Sequence, residues 1–173
     1  MTHDLSTIKG AEALVSGKFL GEVTTLYREL GAFPTMFVLI CKVDPVSREA
    51  NADGIPLLTI LSFDGTPGVR DVIQAVRETA RRGSALGIIA SYRAMSKTLY
   101  GARRADIAAV RLDDPGLTEV HVVTLEHVQG RRVWSSLIHR EGERVWTDGF
   151  VLKSSEVRAG GPFADLLARE WLN

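Results

Sequence analysis

Thr35-Met36-Phe37-Val38-Leu39-Ile40-Cys41-Lys42-Val43 is apolar on both parities of its central run, Met36, Val38 and Ile40 on one side and Phe37, Leu39 and Cys41 on the other. Successive strand side chains project to opposite faces of a sheet. A strand of this kind therefore needs cover on both faces, from helices on either side or from a second subunit. Ile55 to Phe63 is a second β-rich run, and the interval between the two holds Asp44-Pro45 and Asn51-Ala52-Asp53-Gly54, residues that favour turns. The two runs are predicted to pair as a hairpin with a long loop.

Upstream, apolar residues at Ile8, Ala11, Val15, Phe19, Val23, Leu26, Tyr27 and Leu30 form one helical stripe. One helix or two fit it, with Gly17 the expected break and Gly31 the left-handed end cap. Downstream, Thr66 is the expected N-cap and Pro67 the first residue of a helix carrying Val69, Val72, Ile73, Val76 and Ala80, with Gly83 as its stop. Ala85 to Met95 reads as a third strand, and 96–116 is polar, basic and weakly patterned. Thr118 to Val128, Arg131 to Arg140 and Arg144 to Lys153 read as an antiparallel meander turned at Gln129-Gly130 and Glu141-Gly142-Glu143. A closing amphipathic helix is expected to carry Phe163, Leu166, Leu167 and Trp171.

This order lacks the regular alternation of a parallel sheet. It predicts an α+β fold, a mainly antiparallel sheet of five to six strands with helices packed on its faces (α-β-β-α-β-β-β-(β)-α). Residues 1–173 read as a single domain, since no repeat or low-complexity segment divides them.

With 21 basic and 21 acidic side chains the net charge is zero, so the molecule as a whole exerts no strong pull on nucleic acid or anionic membrane. The one cysteine, Cys41, excludes an intramolecular disulfide and a Cys-rich zinc framework, and its apolar neighbours read as core. Met1-Thr2-His3-Asp4-Leu5 lacks the start of a signal peptide, and no stretch reaches the ~18 apolar residues of a membrane span. A cytoplasmic protein without membrane contact is expected.

The residues offer no complete catalytic set and no metal site. His121 and His127 share one strand face, but six residues place them ~20 Å apart, outside one coordination sphere. His139 comes opposite His121 if the intervening loop has three residues, and lands on the other face if it has two. Glu126 and His127, as neighbours, project to opposite faces and read as a charged edge. Ser96-Lys97 lacks the S-x-x-K spacing. The turn Asp64-Gly65-Thr66-Pro67-Gly68 lacks both phosphate-binding glycine patterns, so no cofactor is expected.

One asymmetry remains. Residues 81–144 hold eleven Lys/Arg against seven Asp/Glu, whereas residues 1–80 hold seven against ten. Within the former, Tyr92, Arg93, Lys97, Tyr100, Arg103 and Arg104 interleave aromatic and positive side chains, as a surface for phosphates and stacked bases does. Trp134, Trp146 and Trp171 read as core or as a binding surface exposed when the last helix moves aside.

The run from Gly54 to Gly149 resembles a group of uncharacterised bacterial and phage-borne α+β proteins. The resemblance is carried by a strand, a helix like Val69 to Arg82, and a strand ending Ile88-Ile89-Ala90-Ser91-Tyr92-Arg93-Ala94-Met95. A polar loop, Val122-Val123-Thr124-Leu125-Glu126-His127 and a glycine-turned hairpin complete it. It covers a little over half the chain and implies no activity. The element order is also similar to the profilin and roadblock sandwiches, which implies a partner-binding module.

Three functions follow as expectations. The first is a non-enzymatic module that binds a protein partner or self-associates. The second is a nucleic-acid accessory protein using the 92–104 segment, and the third an enzyme with a site near His121 and His139.

Overall fold

Two helical segments and a π-helical turn make up the first stripe in the computed structural model, which describes residues 3–63, 67–96, 111, 113–153, 163 and 165–167. Helix α1 (Ile8–Leu14) starts from Thr7, whose side chain accepts the Gly10 N–H, and passes through the π-turn Val15–Phe19 into α2 (Leu20–Leu30). The chain does not break at Gly17; it widens there by one residue. The spacing explains this: Ala11, Val15, Phe19, Val23 and Tyr27 recur every four residues, and a 3.6-residue helix rotates such a stripe by about 40° at each step. The i→i+5 turn absorbs the excess and keeps Ala11, Val15, Val23 and Tyr27 fully buried. Gly31, at φ 66°, caps α2 by donating its N–H to the Tyr27 carbonyl.

The hairpin follows: β1 (Met36–Cys41) and β2 (Leu57–Ser62) pair antiparallel, Met36 opposite Ser62 and Cys41 opposite Leu57. Helix α3 (Val69–Gly83) begins two residues later than expected, with Gly68 rather than Thr66 at its N-cap and Pro67 ahead of it. Its left-handed end residue is Ser84, at φ 48°, not Gly83. Gly83 serves proximity instead: a Cβ there would stand 2.5 Å from the Cys41 sulfur, so glycine lets α3 come down onto β1.

Strands β3 (Ala85–Ser96), β4 (Thr118–His127), β5 (Gly130–Glu141), β6 (Arg144–Thr147) and β7 (Val151–Leu152) complete the set. The sheet order is β2-β1-β3-β4-β5-β6, antiparallel throughout, with β7 also pairing β5. The fold is α+β as the residues imply, with one correction: the strand expected over Arg144 to Lys153 is two short ones, separated by Asp148-Gly149-Phe150. In the closing segment Phe163, Asp165, Leu166 and Leu167 are turn, bend or irregular, with Asp165 at φ 56°. Trp171 lies outside the described residues.

Each face of the central strands is covered by the chain itself. Leu5, Ala11 and Val15 lie over Val38, Ile40, Ile89, Val123, Leu125 and Trp134. Val72, Val76, Ala80 and Leu166 lie over Phe37, Leu39, Cys41, Ile88, Ala90 and Tyr92 on the opposite face. Fully burying such a side chain stabilises the fold by roughly 1.5–3 kcal/mol. The two-sided apolar pattern of β1 thus reports intramolecular cover. Among the described residues no helix is long and apolar enough to cross a membrane.

Candidate functional site: an uncovered sheet edge

The cover stops one strand short. On β1, Val38 and Ile40 are 6% and 0% exposed under the first helical layer. Their partners on β2, Ile60 and Leu58, share that face and are 63% and 46% exposed. The alternate residue Leu61 turns to the α3 side with Phe63 and packs there. Strand β2 is therefore half built into the core and half open, and among the described residues nothing pairs with its outer edge. From Gly54 to Phe63 the chain carries no charge. At the start of the strand an open groove of about 670 Å³ runs between the π-turn and the incoming loop, bordered by Leu5, Leu14, Gly17, Lys18, Ile55 and Pro56.

The residues proposed for chemistry go elsewhere. The β4–β5 turn has two residues, Val128 and Gln129, with His127 opposite Gly130, so His121 faces Ser136 and His139 lies on the other face. The proposed His121/His139 pairing is thereby corrected: the register separates them. His139 stacks on Trp146, at 5.3 Å between ring centres, and its Nε2 is 2.9 Å from an Asp148 carboxylate oxygen.

His121 is fully buried between two hydroxyls. Its Nδ1 is 2.7 Å from the Tyr27 hydroxyl oxygen and its Nε2 2.7 Å from Ser91 Oγ. In a neutral ring one nitrogen donates and the other accepts, so each has a complementary partner. Burial, with the Arg93 charge adding to it, lowers the imidazole to about 4; burial raises the Tyr27 phenol to about 12. Phe33 and Phe150 close the site edge-on to the ring. The arrangement is a satisfied polar core, and sequence reasoning missed it because Tyr27 and Ser91 reach His121 only through tertiary packing.

The basic set is divided. Tyr92 is corrected as a stacking platform: it is 4% exposed, packed edge-on to Phe163 under the α3 layer. Burial and the nearby Glu126 charge push its phenol up to about 12. Arg93, its neighbour, projects the opposite way to within 3.5 Å of Glu119, which Arg140 also holds through two bonds of 2.8 Å. Lys97, Tyr100, Arg103 and Arg104 lie outside the described residues. Glu126 and His127 are likewise no charged edge, at 6% and 5% exposed. Glu126 accepts the Leu167 N–H at 2.9 Å, and His127 Nδ1 accepts the Gln129 N–H at 3.2 Å.

Cys41 is buried, and burial raises its thiol, which keeps it from thiolate chemistry. Trp134 belongs to the core and Trp146 is half-buried. Among the described residues no three His, Cys, Asp or Glu side chains converge as a metal site does. Comparison with known proteins finds no matching family model, no similar curated protein and no similar solved structure.

Proposed function

We propose that this chain is a non-catalytic protein-interaction domain whose docking line is the outer edge of β2. One observation carries the reading: a six-residue edge strand whose outer backbone groups find no partner strand among the described residues, Leu58 and Ile60 exposed beside it, and no charge along it. Backbone N–H and C=O groups on such an edge are a template for an added strand, and alternate side chains supply the selectivity. In the interior, by contrast, His121 is engaged by Tyr27 and Ser91 and Glu126 by the Leu167 N–H.

Peptides selected by display against the immobilised protein test this directly. Extended sequences with alternating apolar residues are expected. Their binding is expected to vanish with Ile60→Lys and to survive Arg93→Ala. Binding indifferent to Ile60→Lys, or lost only with Arg93→Ala, would overturn the assignment and direct attention to the basic surface.

A further inference from the structure

We propose that the strand which docks on β2 is β2 of a second copy of this chain, giving a two-fold dimer with one sheet continuous across both molecules. The proposal rests on the docking-edge reading above and names its partner.

Charge is the first argument. About one residue in four of the chain is charged, yet 54–63 has none. A charged strand laid here would lose hydration without gaining a counter-charge, whereas a second β2 brings none. The second argument is register. Around an axis perpendicular to the sheet and passing beside Thr59, antiparallel pairing sets Leu58 of each copy against Ile60 of the other. It sets Leu57 against Leu61 on the opposite face. Both exposed apolar side chains are then covered by each other, as an isologous contact requires, and cross-strand apolar pairs of this kind stabilise a sheet.

Area sets the affinity. A six-residue strand is ~20 Å long and a sheet ~10 Å thick, a strip of roughly 200 Å² on each copy. The two strips together fall short of the ~1,000 Å² of a stable specific interface. A weak, reversible dimer follows, with Kd in the micromolar range.

Sedimentation of the purified full chain across roughly 1 μM to 1 mM tests this range. The mass is expected to rise from the 18.9 kDa of one chain to twice that. Ile60→Lys, at an exposed position, is expected to keep the circular dichroism of the wild type and to weaken association on the order of 100-fold. Mixing separate Leu58→Cys and Ile60→Cys proteins under mild oxidation is expected to yield a disulfide-linked pair. A wild type that stays at one-chain mass throughout, a dimer unaffected by Ile60→Lys, or a dimer in which the two cysteines never cross-link overturns the proposal. Should the wild type be a monomer while selected peptides still need Ile60, the second copy is refuted and the docking edge stands.

Discussion

The two margins of this sheet are built in opposite ways. At one margin β2 runs six residues without a charge and leaves Leu58 and Ile60 to solvent. At the other, the outer side of β5 is divided between β7, paired with Trp134 and Ser135, and β6, paired with Ile138 to Glu141. These strands have two and four residues, Asp148-Gly149-Phe150 interrupts them, and Arg144 opens β6. Val151 and Leu152 are half exposed there, but a two-residue strand offers too little backbone to extend. Short, interrupted and charged strands are the usual protection of a sheet edge. The difference teaches that one margin is short, interrupted and charged and the other long, uncharged and open on one face, while the strands between them are sealed.

If cover is what separates the margin from the interior, substitutions in β4 and β2 must differ in cost. The largest effect is expected at His121. Changing it to Ala removes a buried ring and leaves the Tyr27 and Ser91 hydroxyls without their partner. A loss of about 4 kcal/mol follows, read from denaturant midpoints. A loss below about 1 kcal/mol would mean that the site relaxes or admits water.

Next comes pH. The folded imidazole of His121 titrates near 4, against 6.5 for the free side chain, so the unfolded chain binds this proton more readily. The stabilisation is complete above pH 6.5, falls as pH drops toward 4 and is absent below it. It amounts to about 3 kcal/mol, of which about 2 is gone by pH 5. Burial shifts His127 in the same direction, so part of the slope is expected to survive in His121→Ala. A wild-type midpoint that does not change between pH 7 and 5 would contradict the buried neutral imidazole.

Gly83→Ala sharpens the comparison on the α3 side, where the new methyl would collide with Cys41 and come within 3.2 Å of Pro45. Overpacking of this kind costs about 2 kcal/mol, and Cys41→Ala in the same chain is expected to restore part of it, a coupling that a double-mutant cycle measures. The smallest effect belongs to β2: Leu58→Thr and Ile60→Thr are each expected to move stability by less than about 0.5 kcal/mol. A loss of several kcal/mol at either would show that this margin is covered after all.

Much of this architecture is legible in the residues. The doubly apolar run of β1 marks a sealed strand, and Val72, Val76 and Ala80 mark the inner face of α3, but β2, apolar on both parities as well, is open on one face and so departs from the same rule. The four-residue recurrence from Ala11 to Tyr27 contained the π-turn, although the glycine at 17 pointed to a break. Grouping Tyr92 with Arg93 as one surface overlooks that the strand runs on to Ser96, so neighbours take opposite faces: Ala90, Tyr92 and Ala94 share one parity, Ser91 and Arg93 the other. The open edge is half visible in the residues. The uncharged run of 54–63 stands in the sequence, but that β2 is a margin rather than an inner strand depends on β3 pairing with the other side of β1, which no local pattern records.

That pairing also has a kinetic side. The β4–β5 hairpin closes through a two-residue turn, whereas β1 meets β3 across about fifty intervening positions and must wait for a much larger loop to close. Until it closes, the β1–β2 hairpin lacks β3 beside it. Refolding yield is therefore expected to fall with protein concentration, the uncharged strand β2 being the one through which unfinished molecules would find each other.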